Sequence, residues 1–331
     1  MISVEYMKIV PYNNSRHGGH NMNEIQTTAA ATTPVKVRSF DTLYTSFVSY
    51  LDAAPRTVET YSRALKQFFG FLQNEGISEP QRADVLAYKE RLQEKYKPTT
   101  IQNYITAVKI FFNWTDQEGL YPNVAQHIKG AKLDHEFKKD YFNKNQLKDI
   151  GASMETDTLQ GKRDYAIFRL MSSNGLRDIE VSRANVEDLR TRGENTVLYI
   201  QGKGREEKSD YVILGAKTET ALRDYLKARG EYKDGDPLFT SVSNHANGGR
   251  LTTRSISRTI KNTMKDAGYN SSRLTAHSLR HSAATNALLA GKGIEEVQQF
   301  MRHSNINTTM IYNHALEKDN NTCAKTLDEL F

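Results

Sequence analysis

The chain has one cysteine, Cys323, among 331 residues. A single thiol excludes an internal disulfide framework and any cysteine-rich zinc site, and it fits a reducing compartment. No apolar run approaches the roughly 20 residues needed to span a bilayer, and the N-terminus lacks the apolar stretch of a secretory signal. A cytoplasmic protein without a membrane partner is expected. Also missing are a glycine-rich phosphate loop and an acidic metal-binding cluster, so no cofactor is called for.

What is present is a long, mildly basic chain. Its formal charge of +6 and pI of about 9.1 favour an anionic partner without identifying one. The length exceeds that of a usual single domain, so two domains are the default. Residues 1–37 mix Asn, Gly, His and a Thr/Ala tract ending at Pro34, with no sustained periodicity, and read as a flexible arm. Helical spacing begins near Ser39 with Phe40, Leu43, Phe47 and Leu51. After Pro55 it resumes with Tyr61, Leu65, Phe68 and Leu72. A third helix is expected over Val85 to Tyr96, and a fourth after Pro98 with Ile101, Tyr104, Ile105, Val108, Phe111 and Phe112. Four such helices make a small bundle over residues 38–128, their apolar stripes forming its core. The segment 129–139 loses periodicity and gains lysines, so it reads as a linker. Beyond it, residues 140–315 form a second, mostly helical domain with one β-rich insertion. There Asn195 to Gln201 and Asp210 to Leu214 read as a hairpin with a mobile polar loop around Gly202-Lys203-Gly204. Residues 316–331 are a short tail.

The last fifth of the chain carries the chemistry. Ala276-His277-Ser278-Leu279-Arg280-His281 is followed by Met301-Arg302-His303-Ser304 and then Met310-Ile311-Tyr312. His277 and Arg280, three apart on a helix, share a face and can address one cluster of ligand oxygens. A tyrosine phenol becomes a useful nucleophile only when its proton is removed or its developing charge is matched. Guanidinium forks match the oxygens of a transferring phosphoryl group. A second arginine is expected beside Arg280, and Gly175-Leu176-Arg177-Asp178-Ile179-Glu180 supplies a candidate.

The set Gly-Leu-Arg-x-x-Glu, Gly-Lys-Gly, His-x-Leu-Arg-His and His-Ser-x-x-x-Thr-Thr-x-x-Tyr, in this order over residues 175 to 312, resembles the tyrosine recombinase (phage integrase, Xer-like) family. Thr57 to Leu65 and Thr99 to the aromatic residues after Tyr104 are similar to that family's helical, SAM-like core-binding domain. The resemblance implies a mainly α fold with a small β insertion, an α+β arrangement whose two domains close on duplex DNA as a clamp. It implies that Arg177 and Arg280 hold the scissile phosphate, that His303 bonds a non-bridging oxygen, and that Tyr312 is the nucleophile. Lys203 would protonate the departing 5′ oxygen, His277 would assist proton transfer at the tyrosine, and Glu180 would orient the site. One position departs from the pattern: the residue before the second active-site histidine is commonly glycine and here is Arg302, which can reach DNA instead.

The implied activity is site-specific cleavage and rejoining of DNA through a 3′-phosphotyrosine, in integration, excision, inversion or dimer resolution, without ATP or metal. Implied partners are double-stranded DNA with inverted half-sites, a homo-tetramer on synapsed DNA, and an accessory DNA-bending or directionality protein; the implied location is the nucleoid. The tail would be exchanged between protomers. Two other classes stay open: a type IB topoisomerase, and a DNA-binding protein that has lost catalysis. Each residue also has an ordinary reading alone. Tyr312 can be packing, Arg177 a surface ion pair, Gly202-Lys203-Gly204 a plain turn and His303 a core histidine. DNA contacts are expected from Arg56, Arg63 and Lys97 in the bundle and from Arg254 and Arg258 at a helix start, where N-capping explains the neighbouring Ser and Thr equally well.

Overall fold

A computed structural model describes residues 6–9, 36–132, 140–202, 204–242, 248–319 and 322–330. These fall into two compact units, one holding the described residues up to 132 and the other those from 140 onward.

The first unit is built from α1 (Phe40–Tyr50), α2 (Pro55–Asn74), α3 (Arg82–Gln93) and α4 (Pro98–Gln117). Each starts for a local reason. The Ser39 hydroxyl caps α1 by accepting from the Thr42 N–H at 3.1 Å, while α2 and α4 open with Pro55 and Pro98, whose missing N–H costs nothing in a first turn. The apolar stripes then meet. Phe47, Phe68, Phe111 and Phe112 are fully buried, and rings pack edge to face, as in Phe68–Tyr88 at 5.0 Å and Phe69–Phe111 at 5.2 Å. Burying each such side chain contributes on the order of 1.5–3 kcal/mol, and the core continues through Tyr121 and Ala125 to Ile128.

The residues that follow are still held by the bundle. Lys89 donates to the Lys129 carbonyl at 2.9 Å, and Gly130 passes so close to Gln102 that a Cβ there would collide with its side-chain amide. The lysines Lys138 and Lys139 of the expected linker lie outside the described residues. The N-terminal arm needs correction where it is described: β1 (Tyr6–Ile9) pairs antiparallel with β2 (Lys36–Ser39), Tyr6 opposite Ser39. Strands of four residues are too short to show alternation in a sequence; each is stabilised by its partner.

The second unit is helical around one small sheet. Its helices are α5 (Lys144–Ser153), α6 (Leu159–Ser173), α7 (Asp178–Arg183), α8 (Ala216–Arg229), α9 (Thr253–Asp266), α10 (Ala276–Leu289), α11 (Ile294–Met301), α12 (Asn307–Asp319) and α13 (Cys323–Asp328). The sheet runs in the order β3 (Leu189–Arg192), β4 (Asn195–Ile200), β5 (Asp210–Ile213), antiparallel throughout. Strand β3 has one apolar residue in four and no alternation, so the sequence gives no sign of it. It forms because Gly193, at φ 60°, turns the chain back and Leu189 pairs with Leu198. Its arginines lie over the next strands' rings, Arg190 on Tyr199 and Arg192 on Tyr211.

Helix α10 sits at the centre of this unit with polar residues buried along much of its length. The buried serines have backbone partners: Ser278 accepts from the Thr275 N–H at 3.0 Å, and Ser282 donates to the Ser278 carbonyl at 2.7 Å and accepts from the Phe142 N–H at 2.8 Å. Asn286 donates to the Phe142 carbonyl at 2.8 Å. Satisfied in this way, the polar groups fix the rotation of the helix that carries His277, Arg280 and His281. Helix α12 runs on to Asp319, so the tail expected from residue 316 begins inside it; Leu316 is buried.

Candidate active site

Arg280 is the largest fully buried side chain among the described residues. Its guanidinium donates to the carbonyls of Gly175, before α7, and of Met301, at the end of α11. One side chain on α10 thereby pins the turn carrying Arg177 and the turn carrying His303. Gly175 has φ 62°, and a Cβ there would press on the Met301 sulfur at 2.9 Å, so only glycine brings its carbonyl this close. Burial, then the charges of Arg177 and Arg302, pull the Arg280 guanidinium down to about 9, which leaves it charged at neutral pH.

Arg177 precedes the first residue of α7, a quarter of its side chain open to solvent. Glu180, fully buried, reaches back to it twice, accepting from its backbone N–H at 2.9 Å and from its guanidinium at 2.6 Å. Burial alone would raise the Glu180 carboxyl, but Arg302, then the Arg177 N–H and the charges of Arg177 and Arg280, hold it below the usual range. Glu180 stays ionised and fixes the Arg177 fork.

Arg302 does not point outward as the sequence reading allowed. It ends α11 in the left-handed region at φ 54°, ψ 48°, the usual place of glycine, and the His303 N–H closes the turn onto the Gln298 carbonyl at 3.1 Å. A side chain in this conformation costs about 1–2 kcal/mol. The side chain is only 9% exposed and donates to Glu180 at 3.1 Å and to the Gly175 carbonyl at 3.3 Å. Arg302 therefore faces the interior of the cluster because a buried carboxylate and a carbonyl draw it there.

His303 and Tyr312 stack at 6.2 Å between ring centroids. The imidazole Nδ1 of His303 bonds the buried Thr309 hydroxyl at 2.8 Å. Burial first, then Arg280, Arg177 and Arg302, push the imidazole down to about 4, so it is neutral at physiological pH. The Tyr312 phenol is buried and bonded to Nδ1 of His281 at 2.9 Å. Burial raises the phenol above its ordinary value, while Arg280 and Arg177 act in the opposite direction. The phenol's partner, His281, was not singled out in the sequence; His277, expected there to assist proton transfer at the tyrosine, is exposed and packs edge-on against the His281 ring at 4.5 Å. The four-residue spacing of the two histidines, one helical turn, was a signal that could have found His281. Thr309, three before Tyr312 on one face of α12, was given no role from the sequence, and Arg302 was read only as a departure that can reach DNA.

Lys203 lies outside the described residues. Around it the chain is braced: Arg183 donates to the Gly202 carbonyl at 3.4 Å, and Gln201 donates to the carbonyls of Arg205 and Glu206, each at 2.9 Å. The loop's other lysine, Lys208, is committed to the buried Asp188 at 2.5 Å.

The expected DNA contacts fall in different settings. Arg56 and Arg63 are exposed but share Glu59, at 2.6 and 2.9 Å, which leaves them one net charge between them. Lys97 is exposed at the N-terminus of α4. Arg254 and Arg258 stand four apart on the exposed face of α9, with no ion pair among the described residues. Thr252 caps that helix by accepting from the Ser255 N–H at 3.1 Å, so the capping explanation holds for this hydroxyl.

The site thus gathers three guanidinium groups about one carboxylate, beside a neutral imidazole and a phenol. The surplus of positive charge suits a phosphoryl group whose charge grows as a nucleophile adds.

Known proteins with this sequence and fold agree in kind. Residues 140–319 match the phage integrase family, and residues 43–121 match the phage integrase N-terminal SAM-like domain. The chain is 32% identical over 273 residues to the tyrosine recombinase slr0733 of Synechocystis sp., covering 78% of this chain and 86% of that protein. It is 29% identical to the tyrosine recombinase XerC of Leptospira interrogans, covering 80% and 86%. In fold it is similar to the XerH site-specific recombinase bound to a palindromic difH substrate, with a TM-score of 0.69, 20% identity and coverage of 86% and 84%. It is likewise similar to a lambda integrase dimer bound to a core site, with a TM-score of 0.65, 14% identity and coverage of 81% and 96%. The chain belongs to the phage integrase family, the tyrosine recombinases, a class of enzymes that break and rejoin DNA.

Proposed function

We propose that this chain is a site-specific recombinase in which Tyr312 attacks the scissile phosphate and Arg177 and Arg280 clamp it. The observation that carries this reading is that Arg280 pins both the turn of Arg177 and the turn of His303, while the His303 ring stacks on Tyr312 at 6.2 Å and His281 bonds its phenol at 2.9 Å. The phenolic oxygen forms the ester to the 3′ phosphate while the bond to the 5′ oxygen breaks. The phenolic proton passes to His281, already bonded to the phenol at 2.9 Å, and Lys203 supplies the proton taken up by the 5′ oxygen. The Thr309 hydroxyl lies 2.8 Å from Nδ1 of His303, and the tautomer proposed for catalysis carries its proton on Nε2, where it can be donated to a non-bridging oxygen while Nδ1 accepts from Thr309. Glu180 holds Arg177 in place. Because the ester keeps the bond energy, a freed 5′ hydroxyl of a partner strand reverses the step without ATP or metal.

Around this chemistry, protomers bind inverted half-sites on duplex DNA, with the bundle and the catalytic unit closing on it as a clamp. Two duplexes synapse within a tetramer whose C-terminal tails are exchanged between protomers, and an accessory DNA-bending or directionality protein selects the outcome. Arg254 and Arg258 are the best-placed phosphate contacts, being exposed and without an ion pair among the described residues. Arg56 and Arg63 contribute less because of Glu59. Integration or excision of a mobile element, inversion and dimer resolution, carried out in the cytoplasm, all use this same chemistry.

The test is incubation with nicked, labelled DNA bearing a candidate half-site, followed by a denaturing gel of wild type and Tyr312→Phe. An adduct in wild type alone supports the reading. Tight binding to the site without an adduct favours a protein that only binds DNA, and relaxation of supercoils by a monomer favours a topoisomerase.

A further inference from the structure

We infer that Arg302 is a positioning residue for the cleavage reaction, bracing both phosphate-clamping arginines at once. The inference rests on the proposed roles of Arg177 and Arg280 and adds what holds them.

Three contacts place it. The Arg302 guanidinium bonds Glu180 at 3.1 Å, and Glu180 in turn holds the guanidinium and backbone N–H of Arg177. The same nitrogen bonds the Gly175 carbonyl at 3.3 Å, which also receives a bond from Arg280. The main chain of Arg302 lies between Met301, whose carbonyl takes the other Arg280 bond, and His303. Arg302 therefore touches the support of every proposed phosphate contact in the described part of the site, while its own guanidinium is turned away from solvent.

Its position is unfavourable for stability, which argues for a role in function. The backbone is held in the left-handed region without glycine. The Nε donor is buried and finds no acceptor. The guanidinium is buried beside two others. A glycine would satisfy the turn with none of these costs, so the side chain is kept for what it holds. With Arg302 absent, Glu180 keeps its bonds to Arg177 and the Gly175 carbonyl its bond to Arg280, and the link from the Glu180 carboxylate to that carbonyl is lost, so the guanidinium of Arg177 and the turn held by Arg280 are no longer tied by one side chain.

The deciding experiment compares wild type, Arg302→Gly and Arg302→Lys in three readouts. Single-turnover cleavage of a nicked half-site should fall about tenfold to a hundredfold in Arg302→Gly, as expected when a group orienting a reactive residue is lost. Half-site binding should be unchanged, and Arg302→Lys should recover part of the rate. In ¹⁵N NMR spectra the Arg177 and Arg280 Nε–Hε signals should both shift or broaden in Arg302→Gly, although neither residue was altered. Wild-type cleavage in Arg302→Gly would overturn the inference. So would a loss of DNA affinity equal to the loss of rate, which would make Arg302 a DNA contact, and so would unchanged signals of both arginines. If Arg302→Gly does not fold, Arg302→Lys decides: a full wild-type rate with unchanged signals overturns the inference. If wild type itself makes no adduct, the proposed function fails, and the NMR readout still settles what Arg302 holds.

Discussion

The core of the bundle and the site of the catalytic unit, whose own apolar core runs from Phe142 to Leu279, bury opposite kinds of side chain. Inside the bundle the buried groups are Phe47, Phe68, Phe111, Phe112 and their neighbours, and the charged residues Arg56, Arg63 and Glu59 stay at the surface. At the site in the catalytic unit, Arg280, Arg302, Glu180, His281 and Tyr312 are buried together. The first interior is what any stable fold needs. The second is expensive, because desolvating charges costs more than most pairings return, and such clusters persist where chemistry requires them. The bundle should accordingly respond to mutation through stability, and the site through rate.

The largest effect expected is on the stability side. Phe111→Ala removes a fully buried ring that touches Phe47, Phe69, Phe112 and Trp114, and should cost about 3–5 kcal/mol in chemical denaturation. Cleavage by the folded fraction, measured below its melting temperature, should stay near wild type. A slow folded enzyme would break the contrast between the units.

Arg280→Ala comes next, with a loss of about 10²–10³ in the single-turnover cleavage rate. Because Arg280 also pins Gly175 and Met301, some stability should go with it, and a rate measured at equal folded fraction separates the two. His281→Ala should slow cleavage about tenfold to a hundredfold, with His281→Asn intermediate, while half-site binding measured by mobility shift stays constant.

Acid should expose His303. Its folded value is about 4 against an ordinary 6.5, so the unfolded chain binds the extra proton between those limits. The neutral ring's contribution is fully present above about pH 6.5 and is lost as pH falls toward about 4. Denaturation midpoints of wild type should drop across that window more than those of His303→Asn. Equal slopes would place His303 in open solvent.

The smallest effect belongs to the bundle's surface. Arg63→Ala removes a side chain 69% exposed and paired with Glu59, and should change stability by less than about 0.5 kcal/mol. Arg254→Ala in the catalytic unit should weaken half-site binding more than Arg63→Ala does, since no carboxylate among the described residues offsets it.

Much of this contrast was legible in the sequence, and the reasons are physical. The helices α2 and α4 repeat apolar residues at a period set by their own geometry and begin at prolines, so Leu65, Phe68, Ile105 and Phe112 could be placed in a core from spacing alone. The site's residues could be named because their order along the chain resembles a known family. Their directions could not. Arg302 turns inward because Glu180 and Gly175, more than a hundred residues away in sequence, wait for it. His281 rather than His277 bonds the tyrosine because the packing of α10 sets which face meets α12. Strand β3 exists through pairing with β4, and β1 through pairing with β2, interactions that leave no local period.

The central claim is that the buried phenol of Tyr312 becomes the DNA ester. Its most direct test is mass spectrometry of wild-type protein trapped on a nicked half-site, digested with nuclease and protease. The account predicts a nucleotide attached through a 3′ phosphate to the peptide containing Tyr312. The same modification on another residue, or attachment through a 5′ phosphate, would contradict it.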